Sequence, residues 1–308
     1  MIDTKKIVLA ITMLIFTLGI QGQTMSRDLM IFYTSQWEGE RFDDGRPKVP
    51  DGILERMKKV SIEEAWGVLR GEGYHNQFEG GWKILHPDQP IVGRALTALY
   101  MPNRPDVSEP IKEKGKTDGR LGNTNSWPID ALSMGDVYVA DGFGKIVDGT
   151  MIGDNLGNSI YAKSGNGVVF NSSSRDMDGL MKIEGFNAFV RDWHPSFLKE
   201  VMLAGLNVPI RMGAATVLPG DVVLAKGEGV IFIPAHLAEK VVTTAELVML
   251  RDQFGIQRLK EGKYSPGQID TRWSDEIEKD FSQWLRDHQD ELPVPKEQIQ
   301  ELLKNRTW

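Results

Sequence analysis

The sequence contains no cysteine in its 308 residues. This absence excludes disulfide bonds, a thiol nucleophile, zinc–thiolate sites and the lipid-bearing cysteine of a lipoprotein. The sequence also lacks a G-x-x-x-x-G-K-[ST] loop and a complete G-x-G-x-x-G loop. P-loop enzymes, Rossmann oxidoreductases and nucleotide-dependent methyl transfer are therefore not expected.

Positive charge is also scarce. The chain carries 36 Lys and Arg residues against 43 Asp and Glu residues, for a formal net charge of −7, and it has no Lys/Arg-rich run. Because binding to a phosphate backbone depends on a basic surface, we expect no nucleic-acid partner. The 41% hydrophobic and 26% charged residues are typical of an ordinary globular protein.

Long apolar runs are rare, and the longest lies at the start of the chain. Lys5 and Lys6 precede an apolar run that continues to Ile20. The run is shorter than the roughly 20 residues of a membrane span, and polar residues follow it. The pattern predicts a signal peptide over residues 1–22, cleaved near Gly22, and a periplasmic or secreted protein without a stable membrane anchor. The alternative is an anchor helix that stays in place.

Three regions are expected after this segment. The pattern predicts an N-terminal extension with two helices over residues 23–90, an α/β domain over 91–265 and a helical tail over 266–308. Within the extension, Ser61 and Glu64 have the spacing of a capping box, which indicates a helix start. The aromatic-rich stretch 74–82 fits either core packing or a substrate cleft.

The segment 101–128 is rich in proline, glycine and charge. These residues interrupt helices and strands, so the segment is predicted to be a long irregular connection. Such a connection is typical of a lid, an arm or a linker, and the sequence does not separate these alternatives.

A ten-residue pattern occurs twice, over residues 135–144 and 220–229, as G-D-V-x-x-A-x-G-x-G. It predicts two similar turn–strand–turn units, arranged as pseudo-symmetric hairpins in a β-rich core, unless the two strands are alike by coincidence. Predicted strands and helices alternate between the two copies, which favours mixed α/β layers.

The most informative stretch is Gly153-Asp154-Asn155-Leu156, because twenty residues separate its aspartate from Arg175-Asp176. Asp154 is predicted to be a helix N-cap, which leaves the amides of Asn155 and Leu156 free for an anion, although capping alone would explain an aspartate here. Arg175 and Asp176 follow an apolar strand and a serine-rich turn, the place where α/β folds bind ligands. The combination suits an organic anion beside a divalent metal.

These residues, with Gly167-Val168-Val169 and Pro219-Gly220-Asp221-Val222-Val223, resemble the 4-hydroxy-4-methyl-2-oxoglutarate aldolase family, which also contains the regulators of ribonuclease activity A. The resemblance covers roughly residues 90–250. It implies a β/β/α sandwich of the swivelling phosphohistidine type, a homotrimer or a multiple of it with sites between subunits, and class II pyruvate aldolase or oxaloacetate decarboxylase activity.

The resemblance also implies roles for individual residues. Gly153, Asp154, Asn155, Leu156 and Arg175 would bind the pyruvyl end of a 2-oxo acid. Asp154 and Arg175 would be catalytic, with Asp154 orienting a water for proton transfer. Asp176 would bind Mg²⁺ or Mn²⁺, a cation that stabilises enolate charge without a Schiff-base lysine.

The sequence departs from the family pattern at Lys226, where members often carry an acidic residue. A further carboxylate from a neighbouring subunit is expected, and Glu246 and Asp252 are the candidates. Two function classes follow from these residues: a metal-dependent lyase, and a non-catalytic binding or regulatory protein on the same fold.

Overall fold

The computed structural model describes residues 23–305. The predicted signal peptide therefore lies outside the described residues. Within residues 23–305, none of the helices combines the length and the apolar character that crossing a membrane requires.

A nine-stranded sheet forms the centre of the molecule, and a separate two-stranded hairpin packs beside it. The strands are β1 (Phe78–Glu79), β2 (Lys83–Ile84), β3 (Ile91–Pro102), β4 (Asp136–Asp141), β5 (Val168–Ser174), β6 (Ala188–Trp193), β7 (Val201–Leu206), β8 (Ile210–Met212), β9 (Ala215–Val217), β10 (Val222–Lys226) and β11 (Gly229–Ile233). The sheet order is β1-β11-β10-β3-β4-β5-β6-β2, with β7 beside the second half of β3.

Strands β3, β4, β5 and β6 run parallel to one another, whereas β7, β10 and β11 pair in the antiparallel sense. The parallel strands are buried on both faces, so they appear in the sequence as continuous apolar runs such as Val137–Ala140. In the register, Tyr138 lies opposite Leu96 and Val169 lies opposite Val139.

The helices are α1 (Arg27–Tyr33), α2 (Asp51–Met57), α3 (Ile62–Gly71), α4 (Pro105–Thr117), α5 (Trp127–Asp130), α6 (Asp154–Ser164), α7 (Met177–Leu180), α8 (Ala238–Lys260), α9 (Pro266–Ile269), α10 (Asp275–His288) and α11 (Lys296–Asn305). One face of the sheet packs against α5, α6 and α7 through Trp127, Ile160 and Leu180. On the same face, α2, α3 and α8 cover β10 and β11.

The hairpin β8–β9 covers the opposite face, where Ile210 and Val217 contact Val139 and Phe232 in one buried cluster. The layers are therefore helices, central sheet and hairpin, and the mixed α/β class predicted from the sequence is confirmed.

The N-terminal helices belong to this core. The capping box of Ser61 and Glu64 is present, with the Ser61 amide donating to Glu64 Oε2 at 2.8 Å and the Glu64 amide donating to Ser61 Oγ at 3.1 Å. Helix α1, which the sequence analysis did not predict, precedes the two predicted helices.

The prediction of an irregular segment over 101–128 is wrong, because α4 occupies its centre. Pro105 stands in the first helical turn, where its missing N–H costs nothing. Gly115 lies against the Trp127 ring, and a Cβ there would be 2.2 Å from a ring carbon. The glycine that suggested a break is required instead for close helix packing.

The two copies of the repeated pattern have the same conformation at the Gly-Asp pair with which each begins. Gly135 and Gly220 have φ of +82° and +87°, and the next residue, Asp136 or Asp221, accepts the amide three residues before it at 2.9 and 2.8 Å. The prediction of two hairpins is wrong for the first copy, because β4 pairs in parallel with β3 and β5. Only the second copy forms a hairpin, β10–β11.

The two aspartates differ in their electrostatic partners. Asp136 forms an ion pair with Arg46 at 2.9 Å, and Arg94 lies 3.7 Å away. Asp221 is 5% exposed and pairs with no cation among residues 23–305, so burial raises its pKa to about 7.

The tail helices form a cluster of their own on α8. Leu250 and Phe254 of α8 contact Trp273, Phe281 and Trp284. The Phe254 and Phe281 ring centroids are 5.3 Å apart. The aromatic rings therefore fix α10 to the second half of α8.

We expect Asp221 to make the protein less stable as the pH rises. Because the pKa of Asp221 is about 7 in the folded chain and 3.8 as its ordinary value, the folded state holds the proton more tightly, and stability is lost as the pH rises from about 4 to about 7. Asp221→Asn keeps an acceptor for the Leu218 amide and does not titrate. Its free energy of unfolding relative to wild type should increase by more than about 1 kcal/mol between pH 5 and pH 8 in urea unfolding.

The matched control is Asp88→Asn, which changes an exposed aspartate in a turn. A difference between Asp221→Asn and wild type that stays constant from pH 5 to pH 8 would contradict the assignment.

Candidate functional site

A short stretch after β4 lies beside the end of β5. Thr150 and Ser173 form a parallel bridge, the Met151 amide donates to the Ser173 carbonyl at 2.9 Å, and the Arg175 amide donates to the Ile152 carbonyl at 3.0 Å. These bonds extend the parallel pairing past the end of β4. They bring Gly153 and Arg175 together although 21 positions separate them in the sequence.

The serine-rich stretch is part of β5 and not the turn that was predicted. Ser172 Oγ donates to the carbonyls of Lys145 and Gly149 at 2.8 and 2.5 Å, and Ser173 Oγ donates to the Ile146 carbonyl at 2.7 Å. Both serines are fully buried. Their hydroxyls donate to carbonyls of the loop before α6 and so hold that loop against β5. This role explains why polar residues occupy buried positions of the strand.

Gly153 makes the closest approach in the site. It has extended φ and ψ of −119° and −166°, and a Cβ on it would lie 2.2 Å from Asp176 Oδ2 and 3.1 Å from Arg175 Nε. A glycine is therefore needed here for space and not for backbone conformation.

Asp154 is not the N-cap that the sequence predicted. Gly153 is the N-cap of α6, and Asp154 is the first helical residue. The helix therefore begins one residue earlier than predicted, and its N-cap lies against Asp176. Asp154 Oδ1 accepts the Asn155 amide at 2.8 Å, so that amide is not free, whereas the Leu156 amide donates to no residue in 23–305.

Arg175 and Asp176 form a partly exposed ion pair. Arg175 Nε lies 3.3 Å from Asp176 Oδ2, and the two side chains are 33% and 44% exposed. The guanidinium carbon lies 4.7 Å from the centroid of the Phe197 ring, a cation–π contact that fixes the plane of the arginine. Neither Nη group of Arg175 has a hydrogen-bond acceptor among the described residues, so both remain available to a ligand.

Asp176 has an unusual backbone, with φ of 56° and ψ of 42° at the start of α7. This left-handed conformation is uncommon outside glycine, although aspartate tolerates it better than most residues. The conformation aims the peptide into α7, whose Gly179 approaches Asp154 so closely that a Cβ there would be 2.6 Å from the Asp154 Cβ. Residues 154 and 176 are therefore held at adjacent helix starts.

All six predicted residues line one cavity of about 350 Å³, namely Gly153, Asp154, Asn155, Leu156, Arg175 and Asp176. Sequence reasoning missed its other lining residues, which are Asn123, Asn125, Thr150, Met151, Ile152, Phe197 and Leu198. Asn125 Nδ2 donates to the Met151 carbonyl at 2.8 Å and thereby joins two walls. Asparagines in the proline- and glycine-rich segment were the available signal, whereas nothing in the sequence singles out Phe197.

The donors fit a cation that keeps most of its water. No group of three or more histidine, aspartate or glutamate side chains within residues 23–305 is placed to enclose a metal. The cavity instead offers the carboxylates of Asp154 and Asp176, together with the side chains of Asn123 and Asn125. Mg²⁺ is bound in this way by one or two carboxylates and several waters.

Glu246 does not fit the predicted role of a carboxylate given to a neighbouring subunit. It is 3% exposed and accepts two hydrogen bonds from Arg56, at 2.8 and 2.6 Å, within its own chain. Arg56 also donates to Gln298 at 2.6 Å. This ion pair fastens α2 and α11 to α8. Asp252 is exposed on α8 and remains a prediction.

The aromatic-rich stretch divides between the two expected roles. Tyr74 lines a separate cavity of about 470 Å³ together with Trp37, Asp221 and His236. Trp82 instead packs against Arg191, whose guanidinium carbon is 3.9 Å from the ring centroid. The cavity at Tyr74 shares no lining residue with the candidate site.

The curated proteins that this chain resembles match it over part of its length. A protein of Legionella pneumophila named DlpA is 26% identical over 179 residues, which are 57% of this chain and 27% of that protein. A protein of Stutzerimonas stutzeri, named as an inferred 4-hydroxy-4-methyl-2-oxoglutarate aldolase, is 30% identical over 111 residues, 36% of this chain and 67% of the relative. The chain thus spans about a quarter of the first relative and two thirds of the second.

Two solved structures share the fold. Streptomyces coelicolor RraAS2, described as an unusual member of the RNase ES inhibitor RraA family, has a TM-score of 0.59 and 23% identity, covering 68% of this chain and 100% of that one. An uncharacterized protein of Pseudomonas syringae has the same TM-score and 22% identity, covering 73% of this chain and 100% of that one.

The sequence model of the RraA-like family, described as Aldolase/RraA, matches residues 62–232. This range is more than half of the chain and contains the whole stretch from Gly153 to Asp176. The resemblance inferred from those residues is thereby confirmed. The protein belongs to the RraA-like family.

Proposed function

We propose that the protein is a divalent-metal-dependent lyase that cleaves or decarboxylates a 2-oxo acid through a pyruvate enolate. One observation carries the proposal: the turn at Gly153–Leu156, the Arg175 guanidinium and the Asp176 carboxylate meet in one cavity. The aldolase name of a relative with 30% identity over part of the chain supports the same chemistry.

The pyruvyl carboxylate is expected to bind between Arg175 and the start of α6. The two Nη groups of Arg175 have no acceptor within residues 23–305, and a guanidinium binds a carboxylate in a bidentate manner. The free Leu156 amide at the N-terminus of the eleven-residue helix α6 adds a donor and the positive end of the helix dipole. Phe197 holds the guanidinium in place for this contact.

Asp176 is the proposed ligand of Mg²⁺ or Mn²⁺, with water completing the coordination. When bound, the cation would supply positive charge that stabilises the enolate. In this chain Arg175 lies beside the same carboxylate, so part of the enolate charge would be stabilised by the guanidinium itself.

Asp154 is proposed to orient a water molecule for proton transfer. Its Oδ1 is held by the Asn155 amide at 2.8 Å, and no described residue donates to its Oδ2, which is therefore free to hold a water. In an aldol cleavage the C3–C4 bond breaks, its electrons form the enolate, the C4 hydroxyl loses a proton and C3 gains one. A carboxylate that orients water at the cavity wall suits either proton transfer.

Three finer expectations accompany this proposal. We propose the swivelling phosphohistidine type of sandwich, assembly as a homotrimer or a multiple of it, and export directed by residues 1–22. The alternative function is a binding or regulatory protein, since an RraA-like fold alone does not specify chemistry.

The proposal predicts that Arg175→Ala and Asp176→Ala each lower pyruvate release from oxaloacetate and 4-hydroxy-4-methyl-2-oxoglutarate by about 10²- to 10³-fold, because Arg175→Ala removes positive charge beside the enolate and Asp176→Ala removes the ligand of the cation that stabilises it. Wild-type activity should require added Mg²⁺ or Mn²⁺. Asp178→Asn is the matched control, because Asp178 is an exposed carboxylate of α7 outside the cavity lining. The rates are measured by a coupled pyruvate assay.

Equal pyruvate release by wild type, Arg175→Ala and Asp176→Ala would favour the binding-protein alternative. In that event, pyruvate titrated into the three proteins and followed by NMR distinguishes a ligand site without chemistry from a cavity without a ligand.

Gly153→Ala tests the close approach within the site. The added Cβ would lie 2.2 Å from Asp176 Oδ2, so the carboxylate must move, whereas the extended backbone of residue 153 accepts alanine. We expect at least a tenfold loss of pyruvate release, roughly the cost of one displaced charge, with an unfolding free energy within about 1 kcal/mol of wild type.

Gly67→Ala serves as the control, because Gly67 lies in α3 and an added Cβ there meets nothing within 4 Å. If the unfolding free energy of Gly153→Ala fell by much more than about 1 kcal/mol, the loss of activity would reflect a folding defect, and the steric explanation would be wrong.

A further inference from the structure

A second cavity adjoins the candidate site on the side of α4. Its volume is about 550 Å³, and it shares Asn123 and Leu198 with the candidate site. Its charged lining residues are Lys112, Lys116, Arg120, Lys199 and Glu200. We call it the distal cleft. Four cations and one carboxylate therefore face one cleft in a chain whose net charge is −7.

The cations of the distal cleft are available to a ligand. Lys112 and Lys116 pair with Glu109 and Glu113 at 2.9 and 2.7 Å, but these exposed pairs three residues apart in a helix contribute little. Lys199 and Arg120 form no ion pair with any residue in 23–305.

The carboxylate of the distal cleft does not neutralise these cations. Glu200 pairs with Lys145, outside the cleft lining, at 3.2 Å. The unpaired cations Arg120 and Lys199 therefore leave the cleft with net positive charge.

Arg120 and Trp127 form the buried wall of the distal cleft. The guanidinium carbon of Arg120 lies 5.1 Å from the centroid of the Trp127 ring, and its Nη2 donates weakly to Thr24 Oγ1 at 3.4 Å. Arg120 Nη1 and Trp127 Nε1 are buried and have no acceptor among the described residues. Arg120 is partly exposed and makes one weak hydrogen bond, so its guanidinium retains donor capacity for an anion in the cleft.

Resting on the proposed function, we propose that the distal cleft binds the far, anionic end of a substrate whose 2-oxo acid end occupies the cavity at Arg175. The substrate class is a chain-extended 2-oxo acid that ends in a carboxylate or phosphate group. The two ends are joined across Asn123 and Leu198, the residues common to both cavities. The distal cleft is the larger of the two, which suits an extended chain and not a three-carbon fragment.

The test compares substrates that differ only at the far end. The carboxylate pair is 4-hydroxy-2-oxoheptanedioate and 4-hydroxy-2-oxoheptanoate. The phosphate pair is 2-dehydro-3-deoxy-6-phosphogluconate and 2-dehydro-3-deoxygluconate. For each pair, kcat/KM for pyruvate release is measured with the full-length protein. The ratio of kcat/KM for the substrate with a charged far end to kcat/KM for the substrate with an uncharged far end reports on the distal cleft.

Wild type should prefer the charged member of one pair by about tenfold or more, and the pair concerned identifies the anionic group. Arg120→Gln and Lys199→Gln should each lower that ratio about tenfold. Lys199 is exposed, so its variant tests the cleft even if Arg120→Gln folds poorly. Lys114→Gln is the control, because Lys114 lies on the same helix, pairs with Asp118 at 3.0 Å and does not line the cleft.

Failure of this inference is distinguishable from failure of the proposed function. Cleavage of both members of each pair with equal kcat/KM overturns the distal cleft and leaves the lyase intact. If wild type cleaves no 2-oxo acid, binding of inorganic phosphate and of glutarate is measured by NMR. Binding that Arg120→Gln abolishes and Lys114→Gln preserves supports the anion cleft, and no binding by wild type overturns it.

Discussion

The candidate site depends on one constraint, the parallel pairing of residues 150–152 with the end of β5. Three hydrogen bonds hold it: the one between the Thr150 and Ser173 hydroxyls, that of the Met151 amide to the Ser173 carbonyl and that of the Arg175 amide to the Ile152 carbonyl. This pairing brings Gly153 against Asp176, where a Cβ would displace the Asp176 carboxylate. A parallel strand end is an edge where the chain must leave the sheet, so loops and helix starts gather at it and polar groups can converge.

Charged side chains differ in burial and in hydrogen-bond partners between the core and the candidate site. Arg46 and Arg94 surround the buried Asp136, which joins the N-terminal segment to the starts of β3 and β4. At the site, Arg175 and Asp176 remain one third or more exposed and contact each other only through Nε. A partly exposed pair with few internal partners retains hydrogen-bonding capacity that a ligand can reach, whereas the cluster around Asp136 is buried and out of reach of a ligand.

The sequence predicted the elements that local rules determine. The capping box at Ser61 and the apolar parallel strands follow from short-range patterns, and both are present. Residues whose role depends on distant contacts were misread. Gly115 suggested a break but packs on Trp127. Asp154 suggested an N-cap, but Gly153 takes that position and lies against Asp176, which is 23 residues after Gly153. Glu246 pairs with Arg56, 190 residues earlier, which no local pattern reveals.

The site is divided between two kinds of structure. One half, from Gly153 to Asp176, lies at parallel strand ends, where packed neighbours position each group. The other wall comes from the segment around α4, an exposed helix joined to the sheet through Trp127 and a few loop bonds. Under the proposed function, the chemistry would depend on the core, and the choice of substrate would depend on the helix that adjoins it.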